Sequence, residues 1–269
     1  MKFPRPIITK EHGSWAVLLI PMAVAAGTVG AFNVNALILV FASLGVFMSY
    51  VPVHSILREV LKRSPHWEQI RPAVIWGSLY SGIGALAAAP LFLQGYWFLL
   101  ALGAVGSGFF FVNFVLTRQL QKSILTDLIG VAGLTLGAPA MYYVLTRWLD
   151  ETAFVLYLLS FLFFGSSVCY VHMKIEITKT KKSDWTFSEK LTAGRLNLAY
   201  HIIVIAIVVA LSFYRLTPAM AVLAFTPMTI HAIWGTYRLS SRVSFSRLGF
   251  ALLAQSIVFS LLWIIIAHT

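Results

Sequence analysis

Apolar residues occur in blocks of about twenty, separated by short polar stretches, which is the spacing of helices that cross a hydrocarbon core about 30 Å thick. The blocks lie near residues 13–32, 34–53, 73–93, 96–116, 127–145, 152–171, 196–213, 217–237 and 248–267. Irregular backbone facing lipid would leave its amides unsatisfied, so each block predicts a helix. The predicted fold is an all-α polytopic membrane bundle of about nine transmembrane helices, forming a single integral membrane domain over residues 1–269. The fifth block carries a break signal at Gly137, Ala138 and Pro139. Polar residues inside the blocks, Asn113, His201, His231 and Gln255, are predicted to face neighbouring helices. The clusters Gly82-Ile83-Gly84-Ala85 and Gly103-Ala104-Val105-Gly106 suit close helix packing.

Composition agrees, with 59% hydrophobic and 11% charged residues, where soluble domains carry about a quarter charged. The net charge of +11 would suggest nucleic acid in a soluble protein. Its distribution points elsewhere. Of the 20 Lys and Arg, only Arg147 and Arg215 fall in alternate loops on one side, and the rest lie in the N-terminal arm and the loops of the other. Cytoplasmic loops retain positive residues, so the N-terminus is predicted inside, the C-terminus outside, and the protein multi-pass in the cell membrane. A reporter fused after Thr269 should therefore read outside and one in the loop around Lys181 inside; two tags on the same side would remove the nine-helix topology. The charge then serves topology and attraction to anionic lipid, with no nucleic acid partner expected. Trp15, Trp67, Trp97, Trp148 and Trp185 sit where interfacial anchors belong. Cys169 is the only cysteine, which excludes an internal disulfide and a cysteine metal cluster. The first apolar run continues for a full span, so it reads as a retained helix and not as a cleaved signal.

Two basic stretches look alike. Tyr50-Val51-Pro52-Val53-His54 leads to Arg58, and Cys169-Tyr170-Val171-His172 leads to Glu176. Lys62-Arg63-Ser64-Pro65-His66-Trp67 then recurs as Lys181-Lys182-Ser183-Asp184-Trp185. This suggests two pseudo-repeated halves, about 1–122 and 123–269, with a site between them. Residues four apart share a helix face, so His54, Arg58 and Lys62 form one stripe and His172, Glu176 and Thr180 another. The functional reading is an anion pocket in which Arg58 and Glu176 pair or share a ligand, with Lys62 and Lys174 nearer the rim; the bland reading is a solvated interfacial face. His54, His172 and Glu176 have the composition of a facial metal site, but the cation of Arg58 opposes a divalent ion, so no metal is expected. Asp127, at the start of the fifth block, reads as a helix cap.

Lys10-Glu11-His12-Gly13-Ser14-Trp15-Ala16, running into the first helix, resembles the signature of the YwiC-like family of bacterial membrane proteins. The resemblance implies that Lys10, Glu11 and His12 belong to a site, although Glu11 is also explained by the dipole of a helix N-terminus. More distantly, nine helices with long connections after the second and sixth resemble the UbiA superfamily of intramembrane prenyltransferases, as does the stretch from Asp127 through Ala140. That resemblance implies aspartate-rich motifs holding magnesium and an isoprenoid diphosphate at the ends of those helices. Here His54, Arg58 and Lys62, and His172, Glu176 and Thr180, stand in the corresponding places. One glutamate among histidines and cations is a poor magnesium site, so any phosphate would be met directly by Arg58, Lys62, Lys174 and Lys181.

The expected function is therefore binding, and conversion where chemistry follows, of an amphiphilic anion such as an isoprenoid or lipid phosphate in a cytoplasm-facing cavity. The expected partners are membrane lipids, with no cofactor and no assigned catalytic residue. A transporter or a non-catalytic accessory membrane protein is the alternative.

Overall fold

The computed structural model describes residues 4–9, 12–62, 66–120, 123–180, 182 and 184–269. Among the described residues the structure is helical without strands: α1 (His12–Val29), α2 (Val34–Val60), α3 (Trp67–Leu93), α4 (Phe98–Leu120), α5 (Ile124–Thr135), α6 (Gly137–Thr146), α7 (Glu151–Thr180), α8 (Phe187–Phe213), α9 (Ala221–Tyr237) and α10 (Phe245–Ala267). Seven segments, counting α5 and α6 together, are long and apolar enough to cross a membrane. Gly13–Val29 of α1 is a shorter apolar helix, and α9 has 17 residues. The described helices fall where the nine apolar blocks predict them, and seven of the nine segments qualify as spans of a multi-pass membrane bundle.

The break in the fifth block falls at Leu136, between α5 and α6. Pro139 has no N–H to donate to the Thr135 carbonyl, and the ladder resumes with Ala140 N–H to Leu136 O at 3.1 Å. Gly137 lies against α1, where an added Cβ would stand 2.9 Å from Met22 Cγ and 3.2 Å from Leu18 O.

Several helices outrun the apolar blocks. α2 reaches Val60, α7 reaches Thr180, α3 begins at Trp67 and α8 at Phe187. The connections expected to be long loops are thus shortened by helical extensions at both ends, because outside lipid a helix continues wherever its local sequence supports it. α8 shows how: Thr186 accepts from Glu189 N–H and Glu189 reaches back to the Thr186 N–H, a reciprocal capping box.

α7 is the central helix, with half or more of its apolar stretch buried against α1, α5, α6, α8 and α9. The core is an aromatic stack, with Phe163 parallel to Phe259 at 4.1 Å and Phe225 edge-on to both. α2 and α3 form a hairpin at the side, in backbone contact at Gly45 and Gly84. α4 is the most exposed span, resting on α5. At the end bearing few cations, Arg147 takes a left-handed φ of 69°. Its guanidinium donates to Gln94 O at 2.8 Å and lies 3.7 Å over the Tyr96 ring, which ties α6 to the α3–α4 turn.

Candidate functional site

The basic ends of α2, α4, α5 and α7 lie in sequence around the bundle. His54 is half-buried, stacked on Tyr50 at 6.2 Å and edge-on to Phe114 of α4 at 5.2 Å. Asn113 of α4 donates to the Thr126 carbonyl of α5. At the next residue of α5, Asp127 Oδ2 meets His172 Nε2 of α7 at 2.9 Å. The His54 side therefore faces α4 and the His172 side faces α5.

The sequence-predicted ion pairing is replaced by local pairs. Lys62 bonds Glu59 at 2.5 Å, and Glu59, itself buried, also accepts from the His66 N–H at 3.4 Å. Glu176 is exposed and bonds Lys179 at 2.6 Å. Arg58 is exposed and forms no ion pair among the described residues, so the expected Arg58–Glu176 pair is not formed. A partner three residues away on the same helix costs less side-chain ordering than one on another helix. Lys10 and Glu11 lie outside the described residues; His12 opens α1, and its side chain is likewise outside them. The cap of α5 is Ser123, which shares a reciprocal box with Thr126, so Asp127 serves as the His172 partner and not as the cap. No three of His, Cys, Asp and Glu converge among the described residues.

Lys174 is placed differently from every other cation. It is the one buried Lys or Arg among the described residues, 7% exposed. Its ammonium donates to Gly235 O of α9 at 2.8 Å and lies 5.3 Å from the centre of the Tyr170 ring. Neither neighbour carries a charge. An ammonium taken out of water without a carboxylate costs several kcal/mol at the scale of ~3 kcal/mol per charge in a span, so Lys174 carries a cost that its two neutral contacts only partly offset.

The α7–α8 and α9–α10 connections and the start of α8 form an open groove of about 370 Å³ lined by Asp184, Trp185, Thr186, Lys190 and Leu239. At the same helix ends cations lie over aromatic faces, Lys182 over Trp185 at 5.6 Å, Lys190 over Tyr237 at 5.4 Å and Arg238 over Trp234 at 4.4 Å; of these residues Trp185 and Lys190 line the groove. Leu239, the aliphatic residue of the lining, packs with Met173, Ile177 and Trp185. Lys182 is bonded to Glu189 at 2.6 Å. That bond and the Thr186 cap fix the Glu189 carboxylate at the start of α8. Lys190 and Arg238 have no carboxylate partner among the described residues. The sequence reading took Trp185 as an anchor only and passed over Lys190 and Arg238. The signal available was spacing, since Lys182 to Trp185 and Trp234 to Arg238 are three and four residues apart, within reach along one helical turn.

A family model for YwiC-like proteins matches residues 8–142, half of the chain, from the arm before α1 into α6. The chain belongs to the YwiC-like family. No curated protein and no solved structure matches it. The groove and Lys174 lie in the half of this YwiC-like protein beyond the matched residues, whereas Asp127 and the His54 stripe lie within them.

Proposed function

We propose that this YwiC-like protein binds an amphiphilic anion, an isoprenoid or lipid phosphate, with the phosphate at the groove between the α7–α8 and α9–α10 connections. The groove carries the reading. Its lining sets Lys190, which has no ion-pair partner among the described residues, against one carboxylate, Asp184; Arg238 adjoins the lining residue Leu239 in sequence, and the aromatic faces of Trp185, Trp234 and Tyr237 suit the headgroup level of a bilayer. Arg238 supplies a planar fork for phosphate oxygens and Lys190 a point charge. Lys174 is bonded to the Gly235 carbonyl, four residues before the lining residue Leu239. The likeness to UbiA prenyltransferases supports the connection after the sixth span as one wall; the other wall is the α9–α10 connection in place of the one after the second span.

The test is native mass spectrometry of the purified protein with an isoprenyl monophosphate, phosphatidylglycerol or phosphatidylcholine added. The anionic lipids should form adducts that phosphatidylcholine does not displace. Lys190→Ala with Arg238→Ala should weaken the anionic adducts at least about tenfold, the loss of roughly two exposed charge-assisted contacts. Lys179→Ala, which removes an exposed cation already paired with Glu176, should leave them unchanged. Equal binding of phosphatidylcholine, or equal losses in the two variants, defeats the reading. Chelation should leave the adducts intact, since no magnesium motif is involved; adducts lost on chelation and restored by magnesium would place a metal in the site.

A further inference from the structure

Between α7, α8, α9 and α10 lies a small cavity of about 10 Å³ lined by Ser166, Ser167, Tyr170, His201, His231 and Gln255, among others. Two polar atoms there are buried without a partner, His201 Nε2 and Gln255 Oε1. Their hydrogen-bonding roles follow from their neighbours. His201 is 3% exposed, and its Nδ1 lies 2.8 Å from the Asn197 carbonyl, which can only accept. Nδ1 therefore carries the proton, and in the neutral ring Nε2 is an acceptor. Gln255 Nε2 donates to His231 Nδ1 at 2.5 Å, which leaves His231 Nε2–H to donate to the Tyr170 hydroxyl at 3.2 Å. The Tyr170 O–H is then a free donor, and the Ser167 hydroxyl has no partner among the described residues. The cavity thus presents two orphan acceptors and two free hydroxyl donors.

We infer that this cavity is a binding site for one small molecule with two hydrogen-bond donors, water, which joins the four helices. One water donates to His201 Nε2 and Gln255 Oε1 and accepts from Tyr170 or Ser167. That satisfies both orphans with a single molecule, and the volume is that of one water centre. A buried acceptor left without a donor is costly, and in a span no bulk water is at hand to meet it. Water of this kind is part of the structure, and it places a hydrated, imidazole-lined centre inside the membrane.

The experiment is water-edited solid-state NMR on protein labelled at histidine with ¹⁵N, in proteoliposomes. His201 should show the Nδ1–H tautomer and receive magnetisation from water on the time scale of His268, which is exposed at the other end of α10. Ser166→Thr keeps the hydroxyl that bonds Leu162 O at 3.0 Å and adds a methyl at the cavity. In that variant the transfer to His201 should fall to background while the transfer to His268 stays. Gln255→Leu, which removes one of the two acceptors, should also reduce it and serves where the threonine variant does not fold. A dry His201 in the native protein overturns the inference, as does undiminished transfer in a folded variant. Neither readout involves a lipid ligand, so failure here leaves the groove untouched.

Discussion

Gly45→Val should lower the stability of the detergent-solubilised protein by about 3 kcal/mol or more, the upper range for overpacking a site that cannot yield. A Cβ at Gly45 would stand 2.6 Å from Gly84 Cα, 2.7 Å from Gly84 N and 3.0 Å from Tyr80 O. All three are backbone atoms, so no side-chain rotation relieves the clash and α2 must separate from α3. Gly82, two residues from Gly84, gives the contrast, since an added Cβ there meets nothing within 4 Å. Gly82→Ala should be neutral or stabilising by about 0.5–1 kcal/mol, the ordinary helix gain over glycine. The measurement is the thermal midpoint of both variants in one detergent. Equal midpoints would mean that the hairpin does not depend on backbone contact. In the sequence Gly82 and Gly84 look alike, and only the register between the helices separates them.

The same distinction governs what the residues revealed and what they withheld. The nine apolar segments were legible because lipid imposes one requirement on every segment, an apolar stretch of fixed length with its backbone bonds closed internally. Helix ends beyond the lipid follow weaker local rules, and they were missed by six residues at Trp67 and nine at Phe187. The signal at α8 was present all the same, since Thr186 and Glu189 stand in capping-box order. Partner choice was harder. Arg58 and Glu176 were expected to find each other across the bundle, but Glu59 precedes Lys62 by three residues and Glu176 precedes Lys179 by three, and the nearer partner prevails. Asp127 and His172 meet across α5 and α7 because their helices pack at that height, which no spacing within one helix foretells. Among the polar residues inside the spans, Asn113, His201, His231 and Gln255 all meet other helices or the cavity among them, as their cost in lipid requires.

Lys174→Met tests whether the buried ammonium is kept for stability or for a ligand. Methionine has nearly the same length and no charge, so it fills the space between α7 and α9. Replacing a buried charge by an apolar residue of similar volume is commonly neutral or stabilising by about 1–4 kcal/mol. Against this stands the hydrogen bond to Gly235 O, whose loss costs about 1 kcal/mol, and the contact with the Tyr170 face, worth about 0.5–1 kcal/mol or more where desolvated. The balance favours the variant, so its thermal midpoint without ligand should equal or exceed that of the native protein. Binding should move the other way. A phosphate in the groove draws on the positive charge bonded at Gly235, four residues before the lining residue Leu239, and removing that charge from a medium of low dielectric weakens the attraction where solvent screens it least. The anionic adducts should therefore weaken in Lys174→Met although its fold is as stable as before or more so. A lowered midpoint with adducts unchanged would make Lys174 a tie between α7 and α9 and nothing more. A raised midpoint with weakened adducts is the signature of a residue whose cost to the fold is offset only when an anion is bound.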